Sequence, residues 1–254
     1  MAEQSVQDRE QVREVAARLP GEAAGLPAWK RTLDLGLILL LLPAVLFIGL
    51  VLALIIRCGS RGPVLFRQQR VGYKGRLFTC YKFRTMKVNA ETDSHRAYTQ
   101  QLIAGNAPMT KLDSKKDARL IPLGRILRAT GLDELPQLIN VLRREMSIIG
   151  PRPCIPYEYE VYEPWQRRRF EAVPGLTGLW QVSGKNRTTF AQMIQLDIEY
   201  AERKSLRLDL EILFRTLPAL WTQCRDMRVE KRKAARVIDA KPASPVTIGK
   251  PVSI

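Results

Sequence analysis

Histidine is almost missing from this chain of 254 residues: the single one, His95, lies in a polar stretch and reads as a solvated loop residue. One histidine excludes a multi-histidine metal centre and makes a histidine-based triad an unsuitable reading. Cysteine is nearly as scarce. Cys58, Cys80, Cys154 and Cys224 stand far apart with no C-x-x-C pair, which argues against structural zinc and a disulfide framework and fits a reducing compartment. Acid is outweighed by base, with 25 Asp and Glu against 41 Lys and Arg, a formal net charge of +16. Such a balance points to a polyanionic partner: nucleic acid, an anionic membrane surface or phosphorylated substrates. With histidine set aside, any general base is a carboxylate or a lysine. The length suits one domain, or one domain plus an anchor, and nothing repeats internally.

Charge disappears altogether between Leu35 and Ile56, in the run DLGLILLLLPAVLFIGLVLALIIR. That is about the length that crosses a bilayer core, roughly 20 residues at 1.5 Å each. The run begins too far into the chain, is too long and lacks a small-residue cleavage site for a signal peptide. A single transmembrane helix is the plain reading, and two features strain it. Pro43 removes a backbone donor and clashes with the Leu39 carbonyl, which kinks or breaks the helix. Basic residues flank both ends, Lys30 and Arg31 before, Arg57, Arg61, Arg67 and Arg70 after, so one crossing would leave a basic flank on the wrong side. A helix that enters, bends at Pro43 and returns to the same face satisfies both flanks. Proline is tolerated in spanning helices as well, so both topologies stand on the residues alone.

Beyond the anchor, VLFRQQRV and LFTCYKFRT alternate loosely in β-branched and aromatic residues around Gly72–Gly75, which predicts a hairpin. Val88 to Lys116 is polar and without sustained period, as in a mobile loop with some helix. Leu120 to Arg128 is short, basic and apolar on one side. Leu135, Leu138, Ile139 and Leu142 have the i, i+3, i+4, i+7 spacing of a buried helix face. Tyr157 to Phe170 predicts one helix, and VPGLTGLWQVSGKNR predicts turns with a short strand. Two helices follow, Phe190–Lys204 and Asp209–Gln223, the second kinked at Pro218. From Lys231 the Lys/Arg-rich, then Pro/Ser/Lys-containing composition suggests a disordered tail. The plan is an N-terminal extension (1–29), an anchor (30–57), a small α+β domain (58–230) and a tail (231–254).

Within GLDELPQLIN, Asp133 and Glu134 enter an apolar run and are followed by Pro136. The bland reading makes Asp133 an N-cap, Glu134 the first helical residue and Pro136 part of the first turn. A chemical reading uses the same place. A carboxylate at a helix N-terminus stays ionised and nucleophilic, the N-terminus also holds phosphate oxygens, and a neighbouring carboxylate can bind Mg²⁺ shared with substrate phosphates. Arg128 and Arg152 would supply the counter-charge, Arg152 as a fork held between two prolines. Each of them alone is equally well a surface arginine.

Taken in order, KR-x-x-D before the anchor, Pro43 within it, YKFRTM at 81–86, LDELPQLINVL, MSIIGPRP, PGLTG and WQV leading to GKNR resemble the bacterial sugar transferases. These are the monotopic phosphoglycosyl transferases, and the match runs from about Lys30 to Trp221. The resemblance implies an α+β monotopic membrane protein: one re-entrant hydrophobic helix broken at Pro43, and a small cytoplasmic helical domain with a β-hairpin. It implies transfer of a sugar 1-phosphate from a nucleotide diphosphate sugar, usually a UDP-sugar, to polyprenyl phosphate, with UMP released. It makes Asp133 the nucleophile that forms a covalent phosphosugar intermediate. Glu134, with Asp133, would hold Mg²⁺ or assist proton transfer, and Lys82, Arg128 and Arg152 would sit at phosphate or nucleotide. Implied partners are the nucleotide sugar, polyprenyl phosphate and inner-membrane lipid, with no nucleic acid expected and a homo-oligomer left open. The implied location is the cytoplasmic face of the bacterial inner membrane.

Some positions depart from the family pattern. Leu42 stands where a serine often precedes the helix-breaking proline, Arg144-Glu145 where Gly-Asp is usual before Met-Ser, and Ser183 and Lys185 where Asn and Arg are common. Two other readings compete with the transferase. One is a membrane-anchored basic protein that binds anionic lipid or nucleic acid without chemistry, which would have no use for Asp133 beyond capping. The other is a nucleotide-sugar hydrolase that uses water as acceptor.

Overall fold

The computed structural model describes residues 25–87 and 119–239. The polar stretch with His95, the first 24 residues and residues 240–254 lie outside the described residues. The fold is mixed helix and strand. A long apolar helix α1 (Ala28–Gly59) leads into an antiparallel hairpin, β1 (Leu65–Val71) and β2 (Leu77–Phe83), with Leu65 opposite Phe83 and Val71 opposite Leu77. The hairpin is the one expected, and its turn is closed by Gly72 N–H donating to the Arg76 carbonyl at 2.8 Å.

Short elements follow: α2 (Gly124–Thr130), a 3₁₀ segment (Leu132–Gln137) running into α3 (Leu138–Leu142), and β3 (Ser147–Ile149). Next come α4 (Pro156–Glu160) and a second 3₁₀ segment (Gln166–Glu171), then β4 (Gly175–Thr177) and α5 (Leu179–Val182). The chain closes with α6 (Phe190–Arg203) and α7 (Leu206–Asp239). α6 starts on a capping box, Thr189 Oγ1 accepting from Gln192 N–H while Gln192 Oε1 accepts from Thr189 N–H.

Several expectations need correcting. Tyr157–Phe170 is two helical pieces, because Pro164 between them lacks the N–H a continuous helix needs. The last helix begins earlier and runs to Asp239, through Pro218 and past Lys231. The buried face of 132–142 is shifted from the one expected: Leu135 and Leu138 are partly buried and pack on the core, but the fully buried positions are others. Asp133, Pro136, Gln137, Asn140 and Val141 are buried, whereas Ile139 is 40% and Leu142 49% exposed. The period is helical, but polar residues are buried with the apolar ones: Asn140 caps the β2 edge, accepting from Tyr81 N–H (3.2 Å) and donating to the Thr79 carbonyl (2.7 Å).

β3 pairs in parallel with β4, a pairing between segments 28 residues apart. It brings Gly150 and Gly175 backbone to backbone, so a Cβ on Gly175 would collide with Gly150 N. This crossing fixes the Gly150–Pro153 segment, whose Pro151 carbonyl accepts from Gly175 N–H at 2.9 Å.

α1 is helical from Ala28 to Gly59 with Pro43 inside, and it is the one helix among the described residues long and apolar enough to cross a membrane. Leu39, Leu40, Leu46, Phe47 and Leu50 stand exposed along its middle. Both ends dock on the same domain. Ile38 packs with Phe78, Cys80, Val141 and Met146, while Leu52 and Ile56 pack with Phe83, Ile121 and Leu127.

The end of α3 carries a strained residue. Glu145 N–H donates to the Asn140 carbonyl and Arg144 N–H to the Val141 carbonyl, both at 3.0 Å. This is the Schellman pattern, and it puts Arg144 in the left-handed region at φ 62°. Glycine takes that conformation without a Cβ penalty, which accounts physically for the family's usual Gly here. Arg144→Gly is therefore expected to stabilise the protein by about 1 kcal/mol, raising its unfolding midpoint by about 2–4 °C. A thermal melt in which the variant is no more stable than the parent would refute the strain.

Candidate active site

The hairpin and the 3₁₀ segment build the site between them. β2 carries Lys82 at its end and lies against Leu132–Gln137, so Lys82 Nζ donates to Glu134 Oε1 at 2.6 Å. The 3₁₀ segment starts after Gly131, which is in the left-handed conformation and has no side chain to cap with. Asp133 is thus not the N-cap that was expected; it and Glu134 both occupy the first turn, and no side-chain cap forms. The left-handed Gly131 ends α2 and turns the chain, which leaves the acidic pair inside the turn.

Asp133 is 8% exposed. Burial pushes its carboxyl above the ordinary aspartate range, with the Glu134 charge adding to the rise, while Lys82 and Arg128 oppose it. Glu134 behaves differently. Desolvation acts on it too, but Lys82, through both charge and hydrogen bond, and then Arg152 and Lys185 outweigh it and hold the carboxyl at about 2. Two adjacent carboxylates thus receive different environments: one ionised and paired, the other desolvated beside cations. A desolvated carboxylate is the more reactive nucleophile once ionised.

Arg152 comes from the Gly-Pro-Arg-Pro segment. Its neighbours Pro151 and Pro153 are buried while the arginine is exposed. The segment is clamped by side chains distant in sequence: Arg169 Nη2 donates to the Arg152 carbonyl at 2.8 Å, and Arg70 Nη1 to the Pro153 carbonyl at 3.2 Å. Arg169 is in turn held by a buried ion pair with Asp197. A pocket partly open to solvent lies between these parts, lined by Arg70, Lys82, Glu134, Arg152, Gln181 and Lys185 among others. Its charged lining is mostly cationic, Arg70, Lys82, Arg152 and Lys185 against Glu134, as suits a site for phosphate oxygens.

Of the residues expected from the sequence, Lys82, Glu134 and Arg152 meet at this pocket. Asp133 is next to it, and Arg128 bears on Asp133 electrostatically but does not line the pocket. Arg70 and Gln181 were not foreseen. Arg70 had been read only as part of the positive flank after the anchor, and no local spacing separates a pocket arginine from a surface one. Glu145, standing where the family has Asp, accepts from Asn140 Nδ2 at 2.6 Å and so steadies the residue that ties α3 to β2.

No group of three or more His, Cys, Asp or Glu able to hold a metal occurs among the described residues. The donor set of Asp133 and Glu134 nevertheless fits Mg²⁺ in its usual mode at phosphoryl sites, where one or two carboxylates share the ion with substrate phosphates and water. Glu134, ionised at ordinary pH, is the better donor of the two.

Residues 26–223 match the bacterial sugar transferase family. The exopolysaccharide production protein ExoY of Sinorhizobium fredii is 36% identical over 191 residues, 75% of this chain and 84% of that protein. The UDP-glucose:undecaprenyl-phosphate glucose-1-phosphate transferase of Caulobacter vibrioides is 39% identical over 201 residues, 76% of this chain and 70% of that protein. The undecaprenyl-phosphate galactose phosphotransferase of Salmonella typhimurium is 41% identical over 155 residues, 61% of this chain but 33% of that longer protein. The matched region contains the anchor, the hairpin, the acidic turn and the Pro-Arg-Pro segment, and the chain belongs to the bacterial sugar transferase family.

Proposed function

We propose that this phosphoglycosyl transferase moves a sugar 1-phosphate from a nucleotide diphosphate sugar, a UDP-sugar by the names of its relatives, to polyprenyl phosphate at a membrane surface. The observation that carries the reading is the pairing of environments at Asp133 and Glu134 beside a pocket lined by Arg70, Lys82, Arg152 and Lys185. A binding module for anionic lipid or nucleic acid needs the cations but not a desolvated carboxylate next to them.

In the first half-reaction, an Asp133 carboxylate oxygen attacks the phosphorus that bears the sugar. A P–O bond forms to Asp133, the P–O bond to the nucleotide phosphate breaks, and UMP leaves with the electron pair. In the second, an oxygen of polyprenyl phosphate attacks the same phosphorus and the acyl-phosphate bond breaks, regenerating Asp133. Lys82 keeps Glu134 ionised and, with Arg128, favours the ionised form of Asp133. Arg152 offers a bidentate fork to phosphate oxygens. Mg²⁺ held by Glu134 and Asp133 would neutralise phosphate charge. A lipid acceptor requires the site to lie at the membrane, and the docking of both ends of α1 on one domain supports a re-entrant anchor that bends at Pro43. The described face with exposed Ile139 and Leu142 adjoins α1, since Arg31 donates to the Val141 and Leu142 carbonyls at 2.6 and 3.0 Å. The location that follows is the inner membrane, with the domain on its cytoplasmic face. The product then enters exopolysaccharide or glycoconjugate synthesis as the first membrane-bound intermediate.

The test is an assay of the full chain in detergent micelles with undecaprenyl phosphate, Mg²⁺ and a panel of UDP-sugars. UMP release with formation of a radiolabelled lipid product is expected. UMP release that is independent of the lipid acceptor and yields free sugar phosphate would favour the hydrolase instead, and no UMP from any donor would sink the proposal.

A further inference from the structure

Two side chains that line the pocket each carry a buried polar atom without a hydrogen-bond partner: Arg70 at Nε and Gln181 at Oε1. Arg70 is 7% exposed. Among the described residues its other nitrogens meet neutral oxygens, Nη1 on the Pro153 carbonyl at 3.2 Å and Nη2 on Gln68 Oε1 at 2.7 Å. Among the described residues no carboxylate forms an ion pair with it; burial pushes the guanidinium below its ordinary range, and the like charge of Arg152 adds to this. Glu158 acts on it from further off, and its carboxylate is engaged with Ile155 N–H at 3.3 Å.

Arg84 and Arg169 also leave Nε unpartnered, but their charge is answered. Arg169 forms an ion pair with Asp197. Arg84 donates to the Ser60 and Arg61 carbonyls just beyond the C-terminus of α1, where the helix dipole is negative. Arg70 has neither compensation. Burying an unanswered cation is costly, and it is tolerated where a ligand supplies the anion.

Gln181 presents the complementary need. Its orphaned oxygen accepts, so it calls for a ligand that donates a hydrogen. We infer that Arg70 and Gln181 form a subsite for the donor nucleotide sugar, Arg70 taking a phosphate oxygen and Gln181 accepting from a hydroxyl of the sugar or ribose. The combination favours the donor over the lipid acceptor, because a polyprenyl phosphate has no sugar hydroxyl and its phosphate is mostly fully ionised at neutral pH. The assignment rests on the transferase reading above and adds to it which substrate these two side chains hold.

The experiment uses the full chain in micelles, with Asp133→Asn present to prevent turnover, and measures equilibrium binding of UMP, UDP-galactose, UDP-glucose and undecaprenyl phosphate. Arg70→Gln is expected to weaken UMP and UDP-sugar binding by about 10–100-fold, and Gln181→Met to weaken UDP-sugar binding by about 3–10-fold. Binding of undecaprenyl phosphate should stay at the parent value in both. If Gln181→Met also weakens UMP, the hydroxyl belongs to ribose; if it spares UMP, to the transferred sugar. Arg70→Lys, which keeps charge but loses the fork, should recover part of the loss.

Equal weakening of donor and lipid would assign Arg70 to the shape of the Pro153 segment and overturn the subsite. Unchanged UDP-sugar binding in Gln181→Met overturns it too, even if Arg70→Gln fails to fold. Absence of UMP release by the parent enzyme would instead remove the transferase reading, so the two failures are separate.

Discussion

Asp133→Asn is expected to abolish turnover, by on the order of 10⁴-fold or more, while the fold persists. The amide keeps the size of the carboxylate and loses its nucleophilicity, so no acyl phosphate can form. Stability should not suffer. Asp133 is 8% exposed and its charge is disfavoured by burial and by Glu134, so a neutral side chain removes a desolvation cost. The measurement is twofold: UMP release under saturating UDP-sugar, and intact mass of the protein after incubation with UDP-sugar in the absence of lipid. The parent should gain the mass of a sugar phosphate and the variant none. Turnover at the parent rate, or an adduct that persists in the variant, would show that another residue is the nucleophile. Glu134→Gln serves as the contrast, because it removes the ionised partner of Lys82 without removing Asp133.

The second large effect concerns the root of the long apolar helix α1. Lys30 and Asp209, 179 residues apart, form an ion pair of 2.5 Å with both side chains buried, at 3% and 0% exposure. Lys30 also donates to the Tyr200 hydroxyl at 2.8 Å, and that hydroxyl donates to Asp209 Oδ1 at 2.7 Å and lies 3.1 Å from the Ile149 carbonyl. Asp209→Ala strands the lysine charge inside the protein and should cost about 3–5 kcal/mol. Removing both charges with Lys30→Met and Asp209→Leu should return most of that stability, because an apolar pair carries no desolvation penalty. Urea unfolding of the full chain in micelles reads both variants. If the double variant is as unstable as Asp209→Ala, packing rather than a stranded charge explains the loss. Turnover should fall in the single variant as well, since Ile149 immediately precedes the Gly150–Pro153 segment that carries Arg152.

Part of the site was legible because its residues advertise themselves locally. The Asp133-Glu134 pair and Arg152 between two prolines stood out locally, Lys82 only through the family motif YKFRTM, and Lys82, Glu134 and Arg152 do line one pocket. Arg70 could not be found this way. It differs from Arg67 only in where β1 points it, and that depends on the segment 83 residues later that receives its hydrogen bond. The face of 132–142 was misread for a related reason. Period gives the spacing of a buried stripe, and Leu135 and Leu138 do pack on the core, but whether Ile139 and Leu142 or Asp133, Gln137 and Asn140 join them depends on what packs against the segment.

The residues by themselves determined the apolar helix, the Gly-rich hairpin and the Thr189 start of α6, because uninterrupted hydrophobicity, turn chemistry and side-chain capping act within a few positions. Tertiary structure alone decided the parallel β3–β4 pairing, the Lys30–Asp209 root and the meeting of Arg70, Lys82, Glu134 and Gln181 in one pocket. Those contacts join segments tens to nearly two hundred residues apart. Their free energy comes from desolvated charges and backbone surfaces that meet only when the whole chain has closed, so no local pattern can encode which partner each will find.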